Sequence, residues 1–252
     1  MLNKLHHIGI VVNDIKLASF FYKDILGFKL THEETIQDQG VHAVLLNASN
    51  CEIELLQPID NISGVAKYLK KSGDSFHHLC FSVDNIENEL YRLKKTSISG
   101  KDVRLIDEKA RKGLVGDVAF IHPESTNNVL VEIAKPTKLI EVDSQLSVYG
   151  IIFWCSSENA FWKDELLDKN LTDFNPKLEF KQRLSNEDEN KIHDVSLVLV
   201  TDDLVQIKNN LNLANIQYKK RKDEDVAHIN FKDQITISSK NSFGMDIIFL
   251  EF

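Results

Sequence analysis

An internal repeat in the first half of the chain is the strongest constraint on its fold. The segment LHHIGIVVNDI at 5–15 returns as FHHLCFSVDNI at 76–86. Each copy later contains an Asn-x-x-x-Glu-x-x-x-Pro segment, at 50–58 and again at 128–136. Two structural units of one design are therefore expected, each with a His-His strand first and a Glu strand last.

Local patterns predict the same elements in both units. Alternating, β-branched stretches indicate strands, and apolar residues at helical spacing after Asn13-Asp14 and after Asp84 indicate capped helices. A linking segment at 59–73 is expected to contain a short helix at 65–70. Each unit is thus predicted to be βαβββ, with strands at 6–12, 28–33, 41–46 and 51–56, and then at 76–83, 103–106, 118–121 and 129–134, and with helices at 15–25 and 86–94.

The second half repeats the pattern more faintly. Residues 195–204 resemble 77–86 and lead into a helical pattern at 204–213, and the strand-like end 245–252 resembles 129–134. A strand at 148–155 and a helix at 158–167 could begin a third copy. The predicted fold class is α+β, with repeated βαβββ units forming cupped mixed sheets. We expect one paired-unit domain at 1–136, a linker at 137–146 and a diverged domain at 147–252.

Side-chain alternation along the strands brings four acid–base residues to one face. His7 and His78 point to the side with smaller residues, and Glu54 and Glu132 point away from the helix-packed side. A lone buried carboxylate is costly, but two carboxylates and two imidazoles can share a divalent metal. A single strand histidine is most often a packing residue; it is the recurrence of His with His and Glu with Glu that favours a metal site.

The polar residues next to these four are predicted to support the site rather than to bind metal. Strict alternation places His6 and His77 on the apolar face, as packing residues or as residues that orient the ligands. Glu52 has no counterpart in the second copy, where Leu130 stands, and is expected at the rim.

Charge and composition narrow the classes of partner. The net charge of −8 argues against nucleic acid or an anionic membrane as the main partner. No apolar run is long enough to cross a membrane and no signal peptide is apparent, so a cytoplasmic protein is expected. Three cysteines, an odd number in apolar strands, are interpreted as buried thiols in a reducing compartment: Cys51, Cys80 and Cys155.

Several stretches within residues 4–136 resemble the vicinal oxygen chelate superfamily, which contains the glyoxalases, bleomycin resistance proteins and dioxygenases. Within it, the first half is most similar to the methylmalonyl-CoA epimerases. The matching stretches are LHHIGI at 5–10, FYKDILGF at 21–28, GV at 40–41, IELLQP at 53–58, FHHLC at 76–80, FIHP at 120–123 and NVLVE at 128–132.

The resemblance implies a metal-dependent epimerase of an acyl-CoA thioester such as methylmalonyl-CoA, working through a metal-stabilised enolate. It implies metal ligands at His7, Glu54, His78 and Glu132, with Glu132 also catalytic, and a small-molecule substrate. One divalent ion is expected, and the donor set does not distinguish Co, Ni, Zn, Mn and Fe. A homodimer is an open alternative to a monomer. Two alternative functions stay open. One is a glyoxalase, a lactoylglutathione lyase or another vicinal oxygen chelate enzyme of a specialised pathway, and the other is a metal-free small-molecule binding protein.

Epimerisation needs a second acid–base group. Some family members carry an acid on the strand after Gly40-Val41, where this chain has Ala43. His42 is the candidate, although it could equally be an exposed strand residue. The basic loop residues Lys109, Arg111 and Lys112 could meet a CoA phosphate or be solvated surface charge, and His122 is expected to be structural.

The second half departs from the ligand pattern. Ser196 stands at the His78 equivalent, and the His7 equivalent falls near Tyr149. His193 is out of register, and Glu251 could match Glu132 but lacks partners. We therefore expect no metal in 147–252, whose role would be to mimic a second subunit, to cover the active site or to bind a partner.

Overall fold

The computed structural model describes residues 1–136, 144–155, 166–167, 176–182, 194–220, 226 and 229–252. The first unit has the predicted βαβββ order, and the Asp14 carboxylate caps its helix by accepting from the amides of Lys16 and Leu17. Its elements are β1 (Leu5–Val11), α1 (Ile15–Ser19) continued by a π-helical segment (Phe20–Ile25), β2 (Lys29–Ile36), a 3₁₀ turn (Gln37–Gln39), β3 (Val41–Asn47) and β4 (Glu52–Pro58).

The second unit follows a linking helix, α2 (Gly64–Ser72), and differs from the prediction at two places. The helix cap is Asn85 rather than Asp84. The strand predicted at 103–106 is wrong: Leu105 forms one bridge to Ile121, because β8 occupies the rest of that edge of β9. The elements are β5 (Ser75–Ser82), α3 (Ile86–Leu93), β6 (Ser97–Ile98), β7 (Lys101–Asp102), β8 (Arg111–Gly113), β9 (Gly116–Ile121), a 3₁₀ turn (Pro123–Ser125) and β10 (Leu130–Pro136).

The two units form one eight-stranded curled sheet in the order β2-β3-β4-β1-β5-β10-β9-β8. The two His-His strands, β1 and β5, are antiparallel neighbours at its centre. Each is flanked on its other side by a parallel Glu strand, β4 beside β1 and β10 beside β5. The topology therefore brings the four strands that carry the predicted ligands together.

The two faces of this sheet have different surroundings. The convex face carries the main hydrophobic core, which includes Ile53 and Leu55 of β4 and Val131 and Ile133 of β10. The concave face carries two small apolar clusters; one contains Val11, Ala43 and Leu56 beneath α2, and the other contains Cys80, Val118 and Ala134. Alternation along the Glu strands is as predicted.

Alternation along the His strands is interrupted, which corrects the placement of His6 and His77. In the β1–β5 pairing, Leu5 lies opposite Phe81 and His7 opposite Cys80, so His6 is an extra residue in a β-bulge. A second irregularity places Gly9 opposite His78 and Ile10 opposite Phe76, which makes His77 the extra residue. The bulges keep apolar residues on the convex face and leave the first histidine of each pair beside the second.

The second half forms a five-stranded sheet that reproduces the centre of the first. Its order β12-β11-β13-β15-β14 has the same sequence of parallel and antiparallel pairs as β4-β1-β5-β10-β9. The helix predicted at 158–167 and the linker at 137–146 lie mostly outside the described residues. The elements are β11 (Ser147–Cys155), β12 (Lys177–Gln182), β13 (Asp194–Thr201), α4 (Leu204–Leu213), β14 (Asp233–Ile237), a 3₁₀ turn (Ser239–Asn241) and β15 (Asp246–Glu251).

Strand register assigns the second-half equivalents of the four predicted ligands. Ser196 takes the place of His78, as predicted, because Ile152 lies opposite it as Gly9 lies opposite His78. Gly150 rather than Tyr149 matches His7, since Tyr149 is the bulge residue. Glu251 does not match Glu132; Ile248 does. Glu179 matches Glu54, and His193 lies outside the described residues.

The convex faces of the two sheets share one hydrophobic core. Phe76 of the first sheet packs edge-on against Phe153 of the second, with ring centroids 5.4 Å apart. The Tyr22 hydroxyl donates to the carbonyl of Ser242, and the Asn50 amide bonds both backbone polar groups of Val148. The described part of the second half therefore lies behind the first sheet and leaves its concave face uncovered.

Two expectations from composition can be compared with the structure. Cys51 and Cys80 are buried free thiols, as predicted, while the side chain of Cys155 lies outside the description. Among the helices of the described ranges, none combines the length and apolar character needed to span a membrane.

A shared core predicts that the two halves unfold together. Phe153→Ala removes a fully buried ring that stacks on Phe180 and contacts Phe76, so we expect the free energy of unfolding to fall by about 3–5 kcal/mol. Leu213→Ala, at a position 84% exposed, should change it by less than about 0.5 kcal/mol. Denaturant unfolding followed by circular dichroism should show one transition; two separate transitions, with one unaffected by Phe153→Ala, would contradict the shared core.

Candidate metal centre

The four predicted ligand residues meet at the centre of the concave face. His7, Glu54, His78 and Glu132 are each at most 6% exposed. The Nε2 atoms of His7 and His78 lie 3.0 Å apart. From the His7 Nε2 atom to one carboxylate oxygen of Glu54 and of Glu132 the distances are 3.5 and 3.1 Å. From the His78 Nε2 atom they are 3.4 and 3.3 Å.

These distances suit a shared cation. Ligand atoms about 2.1 Å from one metal ion lie roughly 3.0–3.4 Å from each other in octahedral or tetrahedral arrangements. Two neutral imidazoles and two carboxylates would also balance the charge of a divalent ion. The donor atoms fit a metal in both spacing and chemistry.

The electrostatics of the cluster favour a positive charge at its centre. Burial lowers the pKa of His78, but its hydrogen bonds with Glu132 and Glu54 outweigh burial and raise the pKa to about 9. Burial raises the pKa of Glu132, but hydrogen bonds from His7 and His78 lower it by more than burial raises it. The pKa of Glu132 therefore lies well below its usual value. The Glu132 carboxylate is therefore held ionised, and the cluster favours a cation at its centre, whether a proton on His78 or a metal.

The first histidine of each pair orients the second. The Nδ1 atoms of His6 and His7 lie 3.0 Å apart, and those of His77 and His78 lie 2.9 Å apart. Burial, together with the neighbouring imidazole, lowers the pKa values of His6 and His77 to about 3. Both are therefore neutral and can accept a hydrogen bond from the adjacent Nδ1–H, which leaves the Nε2 lone pairs of His7 and His78 directed at the cluster.

Gly9 makes the site possible by having no side chain. It lies opposite His78 on the concave face, and a Cβ atom there would be 2.2 Å from the His78 ring. Such a contact is far inside van der Waals distance, so any other residue would displace the imidazole.

Cys80 and Phe120 are two neighbours of the site that sequence reasoning did not assign to it. The Cys80 sulfur lies within 4.8 Å of the ligand atoms of His7 and Glu132. Burial, with Glu132 nearby, raises the pKa of Cys80 far above its usual value, so the group is a neutral thiol. Phe120 packs edge-on against the His78 ring, at 5.7 Å between centroids. Alternation alone could have found Cys80, two positions after His78.

Glu52 is buried rather than at the rim, which corrects its predicted place. Its carboxylate accepts a 2.7 Å hydrogen bond from the Thr31 hydroxyl, and it lies 3.7 Å from the His6 ring nitrogen. Burial raises the pKa of Glu52. Glu52 therefore lies beside His6 and Thr31 and is not one of the four clustered residues.

His42 lies on the opposite face of the sheet, which contradicts its prediction as an acid–base group of this site. In the β3–β4 register, Leu45 lies opposite Glu54 and therefore shares its face. His42 lies opposite Gln57, three residues from Leu45, so its side chain is on the other face. Its ring bonds Glu33 at 3.0 Å and Thr35 at 2.9 Å, and it lines a convex-side cavity of about 690 Å³ beside α1. The backbone of the sheet separates it from the cluster.

The basic residues before Gly113 point in different directions. Arg111 pairs with Val118 of the concave face and lies over the Phe120 ring, at 5.2 Å from its centroid. Lys112 is exposed and bonds Asp117, and Lys109 is exposed. His122 caps the turn before β10 by accepting from the Glu124 amide, a structural role as expected.

Comparison with known proteins gives a consistent relationship for the first half. Residues 6–120 match the profile of the Glyoxalase/Bleomycin resistance protein/Dioxygenase superfamily. The mitochondrial methylmalonyl-CoA epimerase of Homo sapiens is 37% identical over 134 residues, which cover 52% of this chain and 73% of that protein.

Solved structures give the same relationship. The methylmalonyl-CoA epimerase of Mycobacterium tuberculosis is 36% identical, with a TM-score of 0.50 over 54% of this chain and 90% of that one. A variant of the Streptomyces coelicolor methylmalonyl-CoA epimerase in complex with 2-nitronate-propionyl-CoA is 28% identical, with a TM-score of 0.50 over 55% of this chain and 100% of that one. By these relatives and by its paired βαβββ units, the chain belongs to the glyoxalase/bleomycin resistance/dioxygenase superfamily.

Proposed function

We propose that the chain is a metal-dependent epimerase that inverts the carbon next to the thioester of a carboxylated acyl-CoA such as methylmalonyl-CoA. The observation that carries this proposal is the cluster of His7, Glu54, His78 and Glu132, within a half-chain 37% identical to a methylmalonyl-CoA epimerase. The sequence division into 1–136 and 147–252 is part of the proposal, with the site in the first part.

The four clustered residues would hold one divalent cation. When bound, that cation would stabilise the negative charge that develops on a thioester oxygen. His6 and His77 hold the imidazoles in the required tautomer, and Gly9 leaves room for the His78 ring. The donor set does not select among Co, Ni, Zn, Mn and Fe.

Glu132 is proposed to move the proton. Its carboxylate would take the proton from the carbon between the thioester and the free carboxylate, and the electron pair of the broken C–H bond would move onto the thioester oxygen as an enolate. The bound cation would keep Glu132 ionised, which is the state that a base requires.

The surroundings of the cluster exclude water from one end of the concave face. Val65, Tyr68 and Leu69 of α2 pack against the small apolar cluster that contains Val11 and Leu56. Exclusion of water strengthens the electrostatic stabilisation of an enolate and prevents its protonation by solvent.

The second half is proposed to take the place of a second subunit behind the site. Its convex face shares a core with the first sheet, and its own concave face is filled by apolar side chains that include Ile152, Val198, Val226 and Ile248. Of the four ligand equivalents, Gly150, Ser196, Ile248 and Glu179, only Glu179 is a carboxylate. Whether the whole chain also forms a homodimer stays a prediction.

The first prediction concerns metal binding. Protein stripped with EDTA and titrated with Co²⁺ by calorimetry should bind one ion per chain. Gly9→Ala should weaken binding by about 10- to 100-fold, because it displaces His78. Gly64→Ala is the matched control, since a Cβ there would meet nothing within 4 Å. Equal affinity in the two variants would contradict the assigned ligands, as would protein that binds no ion.

The second prediction concerns the reaction. Incubation with methylmalonyl-CoA in deuterated water and a divalent metal should exchange the α-proton, measured by proton NMR. If Co, Ni, Zn, Mn and Fe each fail to support exchange, the epimerase is excluded. Turnover of a methylglyoxal–thiol adduct would then favour the glyoxalase alternative, and metal-free retention of a small molecule would favour a binding protein.

The third prediction separates two neighbouring basic residues. Arg111 lies over Phe120 on the concave rim and pairs with Asp107, whereas Lys112 pairs with Asp117 in solvent. If Arg111 contacts an anionic group of the substrate, Arg111→Ala should raise KM by roughly three- to tenfold with little change in kcat. Lys112→Ala should leave both constants unchanged. Equal effects of the two variants on KM would contradict a specific contact of Arg111 and would indicate that KM depends only on the net charge.

A further inference from the structure

Inversion at one carbon requires acid–base groups on both of its faces. Glu132 lies on β10, on one side of the donor cluster. The group that completes the reaction must therefore act from the other side, where β4, β3 and β2 form the sheet. His42 of β3 is excluded because it lies on the convex face.

Register identifies the concave residues on that side. Leu45 lies opposite Glu54, and His32 lies opposite Leu45. One pair further along, Ala43 lies opposite Leu56, and Glu34 lies opposite Ala43. Directly paired residues of antiparallel strands share a face, so His32 and Glu34 both lie on the concave side.

Spacing across the sheet suits a group that acts on bound substrate. Neighbouring strands are about 4.8 Å apart, so β2 lies roughly 10 Å from β4 along the sheet. Side chains can bridge that interval, since the Thr31 hydroxyl of β2 bonds the Glu52 carboxylate of β4 at 2.7 Å. Ala43 is buried in the apolar cluster that packs against α2, so Glu34 would act from the edge of that cluster.

The two residues form an acid–base pair. The His32 Nε2 atom lies 3.3 Å from a Glu34 carboxylate oxygen, and the side chains are 49% and 57% exposed. The other ionisable groups on this side suit the role less well. Glu52 is buried and bonded to Thr31, and Lys29 lies at the end of β2, opposite Asn47.

We propose that Glu34, supported by His32, is the second acid–base group of the site; this rests on the epimerase function proposed above. For one epimer, Glu132 takes the α-proton, the electron pair moves to the thioester oxygen, and Glu34 in its acid form gives a proton to the opposite face of the carbon. For the other epimer the two carboxylates exchange roles. One C–H bond breaks and one forms, so no oxidant or further reactant is needed.

The chain contains a matched control for this pair. Glu33 is adjacent in sequence, is 51% exposed, and bonds His42 at 3.0 Å. This second Glu–His pair lies on the convex face, so Glu33→Gln removes the same charge and the same kind of contact away from the site.

The test follows each epimer of methylmalonyl-CoA separately in deuterated water, with metal-loaded wild-type, Glu34→Gln and Glu33→Gln proteins. Proton NMR measures α-exchange, and a stereospecific assay measures inversion. Glu34→Gln should slow inversion at least 100-fold, while one epimer, whose proton faces Glu132, still exchanges with retention. Glu33→Gln should match wild type in both measurements. His32→Gln should slow inversion less and shift its pH profile.

The outcomes are distinguishable. Inversion by Glu34→Gln at the wild-type rate would overturn the assignment, as would equal loss of exchange for both epimers, or equal loss in Glu33→Gln. If wild-type protein exchanges neither epimer with any of the metals, the epimerase proposal fails and the assignment of Glu34 fails with it.

Discussion

The site depends on the burial of two carboxylates and two imidazoles at one point of a sheet. A carboxylate could not remain ionised there without a compensating positive charge, because burial of an unpaired carboxylate costs several kcal/mol or more. The approach of both His Nε2 atoms to both carboxylates, at 3.1–3.5 Å, supplies partners whose geometry also suits a metal ion. The fold must hold four strands in register for this to occur, and the duplicated βαβββ unit does so.

Two backbone features adapt this sheet to its site. The bulges at His6 and His77 place a neutral imidazole against the Nδ1 atom of each clustered histidine. The absence of a side chain at Gly9 admits the His78 ring. The second half keeps the strand order but carries Gly150, Ser196 and Ile248 at three ligand positions, and apolar side chains fill its concave face. The two sheets thus share a strand order, but the concave face of the first has a polar centre and that of the second is filled by apolar side chains.

Much of this arrangement could be predicted from sequence because period-two alternation and the repeat are strong signals. They located His7, Glu54, His78 and Glu132 on one face and gave the βαβββ order. The bulges could not be predicted, since an extra residue in a strand leaves composition unchanged while shifting the face of His6 and His77. Alternation alone did not determine on which face of the sheet His42 lies. Its pairing with Gln57 shows that it lies on the convex face. The concave position of Glu34 likewise depends on pairing across two strands, including an irregularity between Leu30 and His32.

The four clustered side chains are proposed to hold one metal ion. Crystals grown with Co²⁺ and measured at the cobalt absorption edge would test it most directly through an anomalous difference map. We predict a single strong peak in the first half, about 2.0–2.2 Å from the Nε2 atoms of His7 and His78 and from an oxygen of Glu54 and of Glu132. Absence of a peak there, or a peak held by a different set of residues, would contradict it.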